Sequence, residues 1–162
     1  MKNFLPMRAS AVLFLALTTG ACASGGAATA GASAETDIER INPAGRGARQ
    51  APYTPAVRAG GFVFFSGVIG SQPGGRGLAD GGIRAQTQQA LENMENTMLA
   101  AGVERADLVK CTVFLADIAD YGEMNQVYGA FFGDTPPARS AIGVAGLPAG
   151  AAVEIECIAR AN

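Results

Sequence analysis

The stretch DLVKCTVFLAD, residues 107–117, alternates between apolar and polar side chains. Successive side chains of a strand point to opposite faces of a sheet, so this period of two predicts a strand with two unlike faces. Its apolar face consists of Val109, Cys111, Val113 and Leu115. Its second face consists of Lys110, Thr112 and Phe114.

The stretch VEIECIA, residues 153–159, alternates in the same way near the end of the chain. Its apolar face consists of Val153, Ile155 and Cys157. Its second face consists of Glu154, Glu156 and Ile158. Charged side chains are rarely buried without a partner. The second face of the sheet is therefore either solvated or held in an oligomer interface.

Helix and strand patterns surround these two strands. Glycines bound the apolar run GFVFFSG, residues 61–67, and this predicts a strand. Apolar residues recur every three or four positions over residues 83–101. This spacing predicts an amphipathic helix that Gly102 ends.

A second helix is predicted from Tyr121 to Phe132, with either Asp117 or Asp120 as its N-cap. Two more strands are predicted around residues 138–144 and 153–159. After an initial short strand, the order is therefore β-β-α-β-α-β-β. We expect an α+β fold in which two helices pack on one face of a mixed sheet.

The N-terminal stretch MKNFLPMRASAVLFLALTTGACAS resembles an export signal. Lys2 and Arg8 give it a positive start, and residues 9–17 form a short apolar run. That run is too short to cross a bilayer comfortably, since a spanning helix needs about 20 residues. We expect the mature domain to be exported to the periplasm.

The domain organisation follows from these features. Residues 1–21 are predicted to be the signal peptide, residues 22–50 a flexible tether rich in Ala, Gly and Ser, and residues 51–162 the folded domain. Two cleavage sites remain open. TGAC resembles a lipobox, in which a lipid on Cys22 would attach the protein to a membrane. The small residues Ala21 and Ala23 instead suit ordinary signal peptidase, which would release the domain.

Composition excludes several classes of function. The 162 residues contain no histidine, which removes Ser-His-Asp and Cys-His catalysis and histidine-ligated metal sites. The formal net charge is −2 with two lysines, so nucleic acid is not an expected partner. The three cysteines lack metal-like spacing. We expect Cys111 and Cys157 to be free thiols, because adjacent core strands seldom suit a disulfide.

Four stretches resemble the RidA family, also called YjgF. They are APYTPAVRAGGFVFFSG, the run from TQQALENMEN through VKCTVFLADI to GAFF, PPARSAIGVAGLP, and VEIECIA. They cover about residues 51–160, and PARS followed by VEIE is a specific signal. The resemblance implies a chorismate-mutase-like fold and a homotrimer with a central β-barrel and clefts between subunits.

The resemblance also implies an activity. RidA-like enzymes hydrolyse reactive enamines and imines derived from amino acids, such as 2-iminopropanoate, to a 2-oxo acid and ammonia. No metal and no organic cofactor is implied. The alternative is a binding module that holds a small carboxylate in the same clefts without catalysis. A carboxylate that positions water distinguishes the enzyme from the binder.

Site residues follow from matching positions. By resemblance Arg139 in PARS binds the substrate carboxylate, and Glu154 in VEIE positions the attacking water. A guanidinium fork suits a carboxylate, and a carboxylate can orient and deprotonate water. The matching pocket residues are Tyr53, Ser66 and Asn125. Ala141 stands where many relatives carry cysteine, and there the backbone contacts substrate.

Structural roles would also account for these charges. Arg139 could form an interfacial salt bridge with a glutamate, and Glu154 could pair with Lys110 or an arginine. Glu156 is the better candidate for such a purely structural ion pair. Tyr53, Ser66 and Asn125 could equally be ordinary surface residues.

Overall fold

The computed structural model describes residues 38–43 and 51–161. In this part of the chain six strands and two helices follow one another, joined by turns and short 3-10 segments. They are β1 (Glu39–Ile41), β2 (Ala56–Ala59), β3 (Phe62–Ile69), α1 (Gly82–Ala101), β4 (Leu108–Leu115), α2 (Tyr121–Phe132), β5 (Ala138–Gly143) and β6 (Val153–Arg160).

The strands form one sheet in the order β1-β2-β3-β6-β4-β5. Among the described strands, β4 and β5 run parallel and the other neighbours run antiparallel. A parallel pair needs a long crossover connection, and α2 provides it. Helix α1 packs on β3 and β6 and against α2. The predicted α+β fold, with two helices on one face of a mixed sheet, is confirmed.

The core lies between the sheet and the two helices. Alternate residues of the central strands point into it and are buried: Val63, Phe65, Cys111, Val113, Leu115, Val153, Ile155, Cys157 and Ala159. The helices contribute mainly long apolar side chains: Leu91, Met94, Met98, Met124 and Tyr128. The predicted faces of β4 and β6 are therefore correct for most residues.

Val109 is an exception to the predicted apolar face of β4. It is exposed, whereas its neighbour Leu108 is buried. The register between β4 and β6 shifts between Leu108 and Lys110. This irregularity moves Leu108 to the core side and turns Val109 outward, so the alternation holds only from Lys110 onward.

The helix ends agree with the sequence signals. Gly102 follows α1 with φ 64°, a left-handed conformation that glycine adopts without steric cost. Asp117 accepts a hydrogen bond from the Ala119 amide at 2.9 Å and caps the turn that leads into α2. Asp120 makes no side-chain cap bond to α2. Neither of the two predicted residues therefore caps α2 through its side chain; Asp117 caps the 3-10 segment that precedes the helix.

The predicted tether, residues 22–50, contains an ordered strand. Strand β1 pairs antiparallel with β2, and the Arg58 Nε lies 2.8 Å from the Glu39 Oε2. Ile41 is buried in the core. The prediction that folding starts at residue 51 is therefore wrong, because β1 extends the edge of the sheet. The predicted signal peptide and Cys22 lie outside the described residues. Within residues 38–43 and 51–161, no helix combines the length and apolarity that a membrane span requires.

Cys111 and Cys157 form a disulfide, so the expectation of two free thiols is wrong. The two residues lie directly opposite each other on β4 and β6, with Cα atoms 4.1 Å apart. Directly opposed residues in an antiparallel ladder lie closest when they are a non-hydrogen-bonded pair. The two sulfurs therefore lie close enough to bond within the core. The general rule that adjacent strands seldom suit a disulfide does not hold for this pair.

Candidate functional site

The face of the sheet away from the helices carries both charged and large apolar side chains. This open face comprises Phe62, Phe64, Lys110, Thr112, Phe114, Ser140, Ile142, Glu154, Glu156 and Ile158. Phe62, Phe64 and Ile142 keep more than 40% of their surface exposed, at 42%, 46% and 46%. Exposed large apolar side chains interspersed with charged ones on one sheet face are typical of an interaction surface.

Glu154 lies on the open face, between Phe114 of β4 and Ile69 of β3. Burial raises the pKa of its carboxyl, and the nearby negative charge of Glu156 raises the pKa further. Within the described residues no lysine or arginine forms a salt bridge with Glu154. Lys110 instead donates a hydrogen bond to the Ser140 hydroxyl at 2.7 Å. The predicted pairing of Glu154 with Lys110 is absent from the described chain.

A bulge in β3 makes room for the Glu154 carboxyl. The register between β3 and β6 shifts between Phe65 and Val68, and Ser66 and Gly67 lie in the shifted segment. A Cβ added at Gly67 would overlap the Glu154 Oε1 and lie 2.8 Å from its Cδ. The absence of a side chain at Gly67 therefore positions the carboxyl against the β3 backbone.

Ser66 holds the segment that contains Tyr53 through two hydrogen bonds. Its hydroxyl donates to the Thr54 carbonyl at 2.7 Å, and its amide donates to the Pro55 carbonyl at 2.9 Å. Tyr53 itself is exposed. The structure thus brings Gly67 next to Glu154, and Ser66 attaches the Tyr53 segment to the same strand.

Arg139 lies on β5, the edge strand, in register with Cys111 of β4. Its side chain points to the helix side of the sheet, where α2 holds it. Its Nη2 donates to the Tyr121 hydroxyl at 3.2 Å, and its Nη1 lies 3.9 Å from the Met124 sulfur. The guanidinium carbon lies 4.6 Å from the centre of the Tyr128 ring, a cation–π contact. We call Tyr121, Met124 and Tyr128 the guanidinium cradle.

The polar residues beside the cradle shape its chemistry. Asn125 hydrogen bonds to Tyr121, and this bond, together with the charge of Arg139, lowers the pKa of Tyr121. Burial raises the pKa of Tyr128 to about 12, so its phenol stays neutral. An open groove of about 360 Å³ lies beside Arg139, lined also by Asn125, Tyr128, Gly129, Pro136 and Pro137.

No carboxylate of the described residues lies within salt-bridge distance of Arg139. The predicted structural alternative, a salt bridge from Arg139 to a glutamate, is therefore absent within this part of the chain. A half-buried guanidinium without an acid partner, next to an open groove, can bind an external carboxylate.

The structure does not bring Arg139 and Glu154 together within one chain. Arg139 shares the helix side of the sheet with Ala141, whose side chain packs against the core, whereas Glu154 lies on the open face. The two residues lie two strands apart and three residues apart in register. These offsets place their Cα atoms about 14 Å apart by standard strand spacings. One small substrate cannot contact both residues of a single chain.

All three residues of the cradle, Tyr121, Met124 and Tyr128, are site residues that the sequence interpretation did not assign. Tyr121, Asn125 and Tyr128 are spaced four and three residues apart, which places them on one stripe of α2. That stripe faces β5, so helical spacing upstream of PARS is the signal that could have identified Tyr121.

Comparison with known proteins adds the family. A family profile described as endoribonuclease L-PSP matches residues 46–161. The chain belongs to this family, the RidA/YjgF family. It is 42% identical over 108 residues to a human protein named 2-iminobutanoate/2-iminopropanoate deaminase, covering 67% of this chain and 79% of the human one. It is 43% identical over 108 residues to a RutC family protein of Pyrococcus horikoshii, covering 67% and 86%.

Solved structures of RidA/YjgF proteins share the fold. RidA from the Antarctic bacterium Psychrobacter superposes with a TM-score of 0.69 at 37% identity, covering 75% of this chain and 98% of that one. E. coli TdcF with bound serine superposes with a TM-score of 0.70 at 33% identity, covering 76% and 99%.

Proposed function

We propose that this protein hydrolyses enamines and imines derived from amino acids, of the 2-iminopropanoate type, to 2-oxo acids and ammonia. The single observation that carries the proposal is the position of the Arg139 guanidinium: the cradle holds it beside a groove, and no carboxylate of the described residues pairs with it. An imino acid supplies the missing carboxylate. Relatives named as deaminases of such imines support the choice of substrate.

The catalytic cleft is proposed to form between two chains, because Arg139 and Glu154 lie on opposite faces of one sheet. In a homotrimer whose open faces line a central barrel, Arg139 of one chain could approach Glu154 of its neighbour. The exposed Phe62, Phe64 and Ile142 of the open face would then be buried by assembly. Light scattering of the full-length protein should give a trimer mass, and a monodisperse monomer at micromolar concentration would contradict the shared cleft.

The proposed chemistry needs one water and one carboxylate. Arg139 holds the substrate carboxylate while the protonated imine carbon accepts water. Glu154 takes a proton from that water, and its raised pKa makes it a stronger base than an ordinary glutamate. The protonated Glu154 carboxyl then returns this proton to the amino nitrogen. The C–N bond breaks, its electron pair leaves with ammonia, and the hydroxyl loses its proton as the C=O bond forms, so imine and water become a 2-oxo acid and ammonia. Tyr53, Ser66 and Asn125 are proposed to line the cleft.

The activity test is direct. 2-Iminopropanoate is generated in situ by an amino-acid oxidase, and the rate of ammonia and 2-oxo acid release is measured with and without the protein. An increase over spontaneous hydrolysis is expected. Binding of 2-oxo acids with no increase in rate would favour the carboxylate-binding module instead.

Export is proposed as well, with cleavage before Cys22 or before Ser24. The Cys111–Cys157 disulfide supports an oxidising compartment, where such bonds persist. Cell fractionation and intact-mass measurement test this. A periplasmic chain lacking residues 1–21 is expected, with a lipid on Cys22 if the lipobox is used. A full-length cytoplasmic chain would overturn it.

A further inference from the structure

Tyr121 lies at the outer side of the guanidinium cradle, at the first residue of α2. It keeps 43% of its surface exposed, whereas Tyr128, the other aromatic residue of the cradle, is buried. The Arg139 Nη2 donates to its hydroxyl at 3.2 Å. Tyr121 is therefore the cradle residue whose polar atom an external molecule can reach.

The hydrogen-bonding capacity of this hydroxyl is partly used. A phenol oxygen can accept two hydrogen bonds and donate one. Arg139 occupies one acceptor position. None of the described residues accepts a hydrogen bond from the Tyr121 O–H, so this donor is available to a bound molecule.

Arg139 keeps N–H donors for a carboxylate, because a guanidinium has five of them. Its Nη2 donates one hydrogen bond to Tyr121, and its Nη1 makes one contact with the Met124 sulfur. A carboxylate offers two oxygens with about four acceptor sites. When one oxygen lies against the guanidinium, the other has acceptor sites left for a neighbouring hydroxyl.

We propose that Tyr121 is a second carboxylate-binding residue, whose O–H donates to the carboxylate that Arg139 binds. The guanidinium occupies one acceptor position of that hydroxyl, which leaves its hydrogen free to point toward the bound carboxylate. The inference rests on the proposed function, since both require a carboxylate on Arg139. It adds a neutral donor to the site, so that recognition depends on the position of the carboxylate as well as on its charge.

The test compares Tyr121→Phe with the parent in the full-length chain. Phenylalanine keeps the ring near Arg139 and removes only the hydroxyl. Calorimetric titration with 2-oxopropanoate should show about tenfold weaker binding, the scale of one hydrogen bond to a charged group. KM should rise by a similar factor with kcat near the parent value, and Tm should be unchanged. Glu123→Gln, an exposed change in the same helical turn, is the matched control and should leave the Kd unchanged.

Each outcome supports or overturns the proposed role of Tyr121. A parental Kd for Tyr121→Phe overturns the role of Tyr121, as does a lowered Tm that accounts for the loss. Should the parent bind 2-oxopropanoate without hydrolysing imine, the deaminase proposal fails and the Kd comparison still tests Tyr121. Should the parent bind no 2-oxopropanoate, both proposals fail.

Discussion

The cradle around Arg139 and the carboxyl of Glu154 are positioned by opposite means. Side chains hold the guanidinium: Tyr121 accepts its hydrogen bond and Tyr128 stacks against it. The absence of a side chain at Gly67 makes room for the carboxyl in the β3 bulge. Side-chain contacts therefore position the guanidinium, whereas the space at a glycine positions the carboxyl.

This difference assigns substrate binding to the cradle around Arg139 and proton transfer to Glu154. The cradle provides a fixed positive charge without an acid partner in the described chain, which suits anion binding. Burial raises the pKa of Glu154, which suits proton transfer. Because the two regions lie on opposite faces of the sheet, mutations in one should leave the other intact. Variants that affect only binding or only rate would support this separation.

The largest expected effect is on the rate of imine hydrolysis, when the Glu154 carboxyl is replaced. Glu154→Gln keeps the shape and hydrogen-bonding capacity of the side chain but cannot accept the proton of water. Imine hydrolysis should fall roughly 10²- to 10⁴-fold, the usual range for loss of a general base. Binding of a 2-oxo acid should persist. Glu156→Gln, the neighbouring acid on the same face, is the comparison variant; hydrolysis by Glu154→Gln at the parent rate would make Glu154 a structural charge only.

The next largest effect is a loss of stability when the disulfide between β4 and β6 is removed; β6 is the strand that contains Glu154. Its closed loop spans a sequence separation of 46 residues. Constraining the unfolded chain over such a loop stabilises the fold by about 4 kcal/mol. The double variant Cys111→Ala/Cys157→Ala should lose about this free energy of unfolding in urea titrations. Reductant should destabilise the parent and leave the double variant unchanged; equal stability of the two would contradict a structural disulfide.

A smaller effect is expected at the cradle. Arg139→Ala should weaken 2-oxo acid binding roughly 10- to 150-fold, the range for hydrogen bonds to a charged group. Turnover should fall with it. Arg139→Lys keeps the charge but loses the planar fork, so its binding should lie between the parent and Arg139→Ala. If both variants bind like the parent and only melt earlier, Arg139 is a structural cation.

The smallest effect is a change in pH-dependent stability. Burial, together with the charge of Glu156, holds the folded-state pKa of Glu154 above its ordinary value of 4.5. The folded state therefore binds more protons than the unfolded state just above this pH, and stability falls as the pH rises through that window. In the unassembled chain, where no Arg139 of a neighbour lies near the carboxyl, Glu154→Gln should raise Tm at pH 7 and leave it unchanged well below pH 4. Glu123→Gln should show no such gain; a lower Tm for Glu154→Gln at pH 7 would contradict the raised pKa.

Alternation along the two central strands was enough to predict which residues face the core. Cys111, Val113 and Leu115 follow the pattern, whereas Val109 fails because a register shift cannot be read from local sequence. The Cys111–Cys157 bond was missed for a related reason. The register of the assembled sheet determines which residues of two distant segments lie opposite each other.

Residue matching predicted candidate site residues but not their distribution over two faces. Arg139 and Glu154 both lie on strands, and only the pairing of β5 and β6 with β4 shows that they point to opposite sides. An initial short strand was expected, but β1 was not placed within residues 22–50, because three residues in a stretch rich in small side chains carry little periodic signal.

Mixing two inactive variants tests the shared cleft most directly. Arg139→Ala and Glu154→Gln chains are unfolded together, refolded at equal concentration and assayed for imine hydrolysis. If each cleft takes Arg139 from one chain and Glu154 from its neighbour, random assembly should restore about a quarter of the parent activity, since a closed ring places each chain's site against the next. Activity no higher than that of either variant alone would contradict a cleft shared between chains.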